Sequence, residues 1–484
     1  MQNGLDYGHG SNLLLLDDFR SALSQSTDDP LIIMSNNDFI LAGLNGSGTV
    51  EEPYLIHSLY IITANTYGIL IYETNVYYEI WNCTIISTWY LGIRIDSSMD
   101  ANISQCTIVG AETCLQIKGS PSANIENVTF KPALYGTGIY LEGVPRCSLS
   151  NSSIVGGEIG LESYNSQLIL RNNYFQCSRY GVFADFTPFS LFSSNTFINC
   201  TTRGLRLDFS DNSTIINNFF TNGGLSTRYS DYLTIEWNNF TNCGMYFSGP
   251  SYPHYDHVLV SNFIDEKPIL FLKEDNSGFY KPDDFAQIYL IGCDSTTIQN
   301  GNLTSSDVGL MIVFSTSCIV ENVSITTPHT GIVVDNSWFT SITNCTISNC
   351  FNGLYLREDA RNSLIIDNMF SFNRRAIIVQ YQAPNNLFVN NTFYSNDFIG
   401  VDDGSDSMWD DGSAFGNIYD DYIGDGFYSI PGWAQSIDHF PRRYGPYPTT
   451  TDTTPVGLIF PVMIGIAAVC VGILLILIRK PRRE

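Results

Sequence analysis

Gly138-Ile139-Tyr140-Leu141-Glu142 and Gly204-Leu205-Arg206-Leu207-Asp208 alternate apolar and polar side chains from one residue to the next, which is the period of a strand with one buried face. Each belongs to a unit that returns about every 22 residues. A β-branched or aromatic residue marks the return at Ile85, Ile108, Phe130, Ile154, Phe175, Phe197, Phe220 and Phe240, and the series resumes at Leu303, Ile325, Ile347, Phe370 and Phe393. These residues close a pattern, apolar-x-x-Asn/Cys-x-apolar, seen from Ile80 to Ile85 and from Ile365 to Phe370. Out of phase with it runs a glycine series, Gly68, Gly92, Gly138, Gly160, Gly181, Gly204, Gly244, Gly309, Gly331, Gly353 and Gly400, with Cys114 and Ala376 standing in. So short a unit holds two or three strands and tight turns but no crossover helix, which excludes ankyrin and tetratricopeptide arrays. Leucine-rich repeats need Leu-x-x-Leu-x-Leu, and here Ile, Val and Phe dominate. The reading is an all-β parallel β-helix of about 14 coils. Each coil rises about 4.8 Å, so residues one period apart form vertical ladders, and the series from Ile85 to Phe393 is an interior one.

Twelve cysteines fit the ladder better than a disulfide framework. Cys83, Cys106 and Cys345 share one repeat position, while Cys177, Cys200 and Cys243 share a later one. Small buried thiols at a turn are one reading; vertical bridging, as between Cys83 and Cys106, is the other. No Cys-x-x-Cys pair supports zinc.

With 23 Lys plus Arg against 48 Asp plus Glu, the formal charge of −25 argues against nucleic acid and anionic membrane surfaces as partners. The uncharged apolar stretch from Gly457 to Ile478 is long enough to span a bilayer, and Arg479-Lys480-Pro481-Arg482-Arg483 follows it. The positive-inside rule puts that tail in the cytoplasm and residues before the span outside, as a single-pass cell-membrane protein. Thr449 to Pro455 reads as a short stalk. Asn-x-Ser/Thr sites at Asn45, Asn102, Asn127, Asn212, Asn239 and Asn302 suit a secreted glycoprotein, yet residues 1–30 show no export signal. A tail-anchored cytosolic chain is the alternative, with its basic tail on the wrong side. The organisation expected is an undefined segment 1–30, a β-helix over 31–445 with a longer coil at 245–300 and a closing segment at 400–445, a stalk at 446–456, the span at 457–478 and the tail at 479–484.

Ile32-Ile33 through Asp38-Phe39, Gly46-Ser47-Gly48-Thr49 and Pro53-Tyr54-Leu55-Ile56 resemble the opening of NosD-like right-handed β-helix proteins, also grouped as carbohydrate-binding proteins and sugar hydrolases. Trp409-Asp410-Asp411-Gly412, Gly416 to Tyr422, Ile430-Pro431-Gly432, Asp438 and Pro441 resemble that family's closing segment. Asp265-Glu266-Lys267-Pro268-Ile269 and Ile288 to Cys293 are similar to a longer coil of archaeal members. The resemblance covers about 31–445 and implies a right-handed fold; it says little of chemistry, because members share the coil and not one activity.

If the second and fourth residues of the Gly strand face inward, the third and fifth build two outer columns. One reads Arg94, Gln116, Tyr140, Glu162, Phe183, Arg206, and the other Tyr72, Asp96, Lys118, Glu142, Tyr164, Asp185, Asp208. Aromatic faces among planar polar groups suit sugar rings, which makes Arg94, Asp96, Lys118, Tyr140, Glu142, Glu162, Tyr164 and Arg206 glycan-binding candidates. An ordinary solvated face is equally mixed. Downstream, Met311, Val313, Val333 and Ile378 turn the columns apolar, as expected of a contact with another protein or a surface layer. Asp185 and Asp208, one coil apart, are the candidates for catalysis by a carboxylate pair in glycoside hydrolysis. A lyase would use Lys118 or Arg206 as base. Copper maturation, associated with the NosD name, has only His254-x-x-His257 in its favour. Asp402, Asp403, Asp406, Asp410 and Asp411 are either a Ca²⁺ site or Asx turns. The leading expectation is surface recognition of an extracellular polysaccharide, a glycoprotein or envelope proteins without catalysis. A polysaccharide hydrolase or lyase and a rigid spacer are the alternatives.

Overall fold

A computed structural model describes residues 28–445 other than 425. Strands mostly of three to six residues fold around a right-handed coil with three faces, illustrated by Tyr180–Asp185, Leu191–Ser193 and Thr196–Ile198. Each strand pairs in parallel with its counterpart one coil on, here Arg203–Asp208, Thr214–Ile216 and Phe219–Thr221. The described residues make about 18 turns rather than about 14. The additional turns contain strands such as Leu31–Ile33, Lys267–Lys273 and Gln287–Ile291, which lack the Gly-apolar start by which the coils were counted. The expected span, Gly457 to Ile478, lies outside the described residues, and among those described no helix is long and apolar enough to cross a membrane.

The interior ladder exists, in two runs. Ile85, Ile108, Phe130, Ile154, Phe175, Phe197, Phe220 and Phe240 stand in successive register. The last four stack their rings at 5.0, 4.8 and 4.7 Å, the offset spacing aromatic pairs favour. Glycine faces this ladder for lack of room. A Cβ on Gly181 would lie 2.7 Å from Phe197 Cδ1 and 2.5 Å from the Gly204 carbonyl oxygen. At the turn between the second and third faces a left-handed residue such as Asn217 (φ 56) precedes a buried Asn. That Asn continues a second ladder: Asn195 Nδ2 donates to Asn218 Oδ1 at 3.1 Å, Asn218 to Asn238 and Asn238 to Asn262 at 3.0 Å. In the early coils Cys83 and Cys106 take this place, with the Cys83 backbone N–H 3.4 Å from Cys106 Sγ. All eleven described cysteines are buried free thiols, so the bridging alternative is not realised.

The stretch expected to hold one longer coil, 245–300, is where one stack ends and another begins. Phe263–Ile264 and Lys267–Pro268 pair antiparallel across Asp265 and Glu266, both at positive φ, a two-residue hairpin that reverses the chain. Lys267–Lys273 then pairs in parallel with Gln287–Ile291 and opens the second stack. Outward residues of that stack, Tyr289, Met311 and Val333 together with Ile291 and Val313, are buried in one cluster with the core of the first. Phe247, inward in the last coil of the first stack, meets the Tyr289 ring at 5.1 Å. Gln287 Nε2 and Tyr289 OH each donate to the Met245 carbonyl at 2.7 Å, satisfying an edge that would otherwise be open. The flank of the second stack therefore caps the end of the first. The apolar column expected to touch another protein is covered at Met311, Val313 and Val333 by the chain's own first stack, while Ile378 is half-buried. At the other end the helix Asn36–Leu41 inserts Phe39 between Tyr54 and Tyr78, at 4.9 and 5.7 Å.

Gly181→Ala is expected to cost about 1–3 kcal/mol through overpacking against Phe197. Asn218→Ala should cost a similar amount, about 1–3 kcal/mol for the buried groups it leaves unpaired. Urea unfolding followed by circular dichroism checks both, and unchanged midpoints would contradict the ladder account.

Candidate ligand-binding face and junction cleft

Strand register puts the two outer columns together as counted. Arg94, Gln116, Tyr140, Glu162, Phe183 and Arg206 are successive partners, as are Asp96, Lys118, Glu142, Tyr164, Asp185 and Asp208. Both columns continue past the counted range through Ser226 and Tyr246 and through Arg228 and Ser248. The side chains are not free solvated groups. Arg94 Nε donates to Asp96 Oδ2 at 2.8 Å and its Nη1 to Tyr67 OH at 3.1 Å. Lys118 pairs with Glu142 at 2.9 Å and lies 5.0 Å over the Tyr140 ring. This ammonium holds the Glu142 carboxyl below its usual range, and burial with a hydrogen bond to Glu142 pushes the Tyr140 hydroxyl up to about 12. Tyr164 donates to Glu162 at 2.7 Å and meets the Phe183 ring edge-on at 6.0 Å.

Arg206 is the hub of the lower end. Its Nε and Nη2 hold Asp208 in a fork at 3.1 and 2.8 Å, and its Nη1 donates to Tyr180 OH at 3.2 Å. Arg228 Nε adds a second guanidinium 3.7 Å from Asp208. Asp185, in register with Asp208, has no such partner, and its buried Oδ1 is left without a hydrogen bond. Burial first, and then the charge of Asp208, raise the Asp185 carboxyl, with Arg228 and Arg206 opposing. The two carboxylates expected to act as a pair therefore share a column and differ in surroundings.

These columns end in a cleft of about 230 Å³ lined by Tyr180, Arg203, Arg206, Asp208, Arg228 and Tyr246. Its lining residues all belong to the first stack, beside the junction. Arg203 pairs with Asp307 of the second stack. Behind it, Arg357 donates to Tyr246 OH, Tyr255 OH and Asp335 Oδ2 at 2.7, 2.6 and 2.7 Å. The sequence reading missed Tyr180 and Arg203, which precede the strand glycine, and Arg228 and Tyr246, which follow Gly224-Leu225 and Gly244-Met245 on coils past Asp208, where the columns were no longer followed. No local signal links Arg203 to a residue 104 positions away.

Beside the carboxylates runs a third row. Phe186, Phe209 and Tyr229 occupy the left-handed turn position, at φ 52, 47 and 53, where earlier coils have Gly119, Gly143 and Asn165. Their rings stack at 4.7 and 4.9 Å, and Phe186 is 50% exposed. Bulky residues there strain the backbone by an amount on the order of 1 kcal/mol each, a placement associated with functional surfaces.

The remaining candidates disperse. His254 bonds to Ser251, while His257 is fully buried, accepts the Leu233 N–H and has its pKa lowered to about 3 by burial. Asp402 accepts from Trp409 Nε1 and Ser436, Asp403 from the Trp433 N–H, Asp410 from His439, and Asp411 from three successive backbone N–H groups. The Asp411 set is Asx-turn bonding, the other three carboxylates tie the closing segment together across 7 to 34 residues, and Asp406 lies exposed beside them.

Comparison with known families agrees with this architecture. The right handed beta helix region model matches residues 67–183 and 113–262, within the first stack. The model described as periplasmic copper-binding protein (NosD) matches 275–424, within the second. The chain is thus a right-handed parallel β-helix protein. Within that class it is a NosD-like β-helix protein. Two solved structures show distant likeness. The mannuronan C-5 epimerase AlgE6 A-module of Azotobacter vinelandii is 11% identical with a TM-score of 0.23, over 81% of this chain and 92% of that one. Tailspike protein 3 of bacteriophage CBA120 is 12% identical with a TM-score of 0.21, over 92% of this chain and 64% of that one. Scores this low add nothing on function. No curated protein matches the chain. The copper in the family's description needs converging imidazole or sulfur ligands; among the described residues no three His, Cys, Asp or Glu gather to hold a metal. These residues do not fit a copper site.

Because the folded protein raises the Asp185 carboxyl, the stability that its proton contributes is complete below the ordinary aspartate range and lost as pH rises through the raised value. Asp185→Asn should therefore melt higher than the parent at pH about 7.5 and level with it near pH about 3. Calorimetry at the two pH values reads this, and an Asn variant that is less stable at neutral pH would refute it.

Proposed function

We propose that the outer columns from Arg94 to Asp208, together with the junction cleft, bind an extracellular polysaccharide or the glycan of an envelope glycoprotein. The observation that carries this is preorganisation. Tyr140, Tyr164 and Phe183 stand among acids and guanidinium groups already held in place by one another, so little side-chain entropy remains to be lost on binding. Ring faces stack on the apolar side of a sugar while the fixed polar groups take its hydroxyls. The protein faces outward on this reading, anchored through Gly457 to Ile478, with its basic tail inside and some Asn-x-Ser/Thr sites glycosylated.

A specific observation favours a second reading, polysaccharide hydrolysis. Asp185 has a buried, unpartnered oxygen, as Asp96 does, but stands in register with another acid where Asp96 stands beside Lys118, which suits a proton donor to a glycosidic oxygen. A lyase has less support, since Lys118 and Arg206 are both tied in ion pairs. The rigid-spacer reading requires no ligand.

A glycan array probed with the full-length protein in detergent, with and without Ca²⁺, separates the three. Binding that falls at least tenfold in Arg206→Ala and Tyr140→Ala, about 1.4 kcal/mol or more, supports recognition. Ligand shortening abolished by Asp185→Asn replaces that reading with the enzyme. Absence of any binding leaves the spacer.

A further inference from the structure

The closing segment exposes more apolar surface than a solvated cap requires. Trp433 is 89% exposed, Ile423 82%, Phe427 65% and Met408 56%. Met408, Phe427, Ile437 and Phe440 line a cleft of about 690 Å³, and Gln435 joins it to a hollow of about 480 Å³ beside Trp433. Trp433 is fixed there by its backbone N–H, which donates to Asp403 at 2.7 Å. An apolar patch of this kind on a protein surface marks a contact.

Its position says with what. Arg442–Arg443 is the final paired strand of the second stack, and Gly445 ends the described residues. Residues 446–456 separate it from the apolar stretch beginning at Gly457. Eleven residues, even fully extended, reach about 40 Å at most. The chain leaves from the coil that carries the patch, so a bilayer holding 457–478 is within reach of it. Trp and Phe are the side chains that settle at a lipid–water boundary.

We infer that the closing segment docks on the outer leaflet of the membrane, with Trp433 and Phe427 in the headgroup region, so that the second stack rests on the bilayer and the first is held away from it. This rests on the reading of Gly457 to Ile478 as a span. Charge selects the lipid. Asp402, Asp410 and Asp438 are buried, whereas exposed Asp406, Asp411, Asp420 and Asp421 outnumber the exposed Arg443, so the docked leaflet is zwitterionic and anionic headgroups repel it.

The test uses the full chain in sealed phosphatidylcholine vesicles brominated near the headgroup, with protection of the luminal tail from added trypsin reporting insertion. The protein has six Trp, and Trp433→Phe isolates one of them. Docking predicts strong quenching in the parent, loss of most of it in Trp433→Phe, and weaker quenching as phosphatidylglycerol is added. Equal quenching in both proteins with the tail inserted overturns the docking alone. A tail that fails to insert overturns the span and the docking with it. Shielding of Trp433 that depends on protein concentration and needs no lipid assigns the patch to a second copy and overturns the proposal.

Discussion

Parallel pairing between successive coils is the constraint from which the rest of the molecule follows. Each backbone N–H of a coil strand meets the carbonyl of its neighbour one turn away, so every side chain stands on the equivalent side chain of the next turn. Inside, this turns one good choice into a column, as with the stacked rings from Phe175 to Phe240. At the turn it makes a buried Asn self-satisfying, since the amide of Asn195 finds its acceptor on Asn218. On the outside it sets Asp185 against Asp208 and Tyr164 against Glu142, whether or not those neighbours suit one another.

A stack built this way has two raw ends, and both are closed. Phe39 plugs one. At the other, a hairpin turns the chain so that a second stack lays its flank across Phe247 and Met245. The outward columns of the second stack had to become apolar to do this. Closure also brings Asp307 to Arg203, one of the residues that line the cleft.

The fold was legible because its information is periodic. Ile85 to Phe393 and the glycine series state strand, register and inward face several times over, and the outer columns follow from the same count. The junction was hidden because it depends on a single non-repeating event. Asp265-Glu266 reads locally as an ordinary turn, and Met311 reads as exposed until the partner that covers it is known. Within the site, the column members were visible but their pairing was not. The fork of Arg206 on Asp208 and the isolation of Asp185 arise from side-chain geometry across strands, and Arg228 and Tyr246 lie on coils past Asp208, beyond the range over which the columns were followed.

Hydroxyl-radical footprinting of the full-length protein, with and without a polysaccharide retained by it, tests the assignment of function to the outer columns most directly. The account predicts that oxidation falls at Tyr140, Tyr164, Phe186 and Phe209 and is unchanged at Phe279 and Tyr381, exposed aromatics elsewhere on the stacks. Protection at Phe279 or Tyr381 with none along the columns would contradict it.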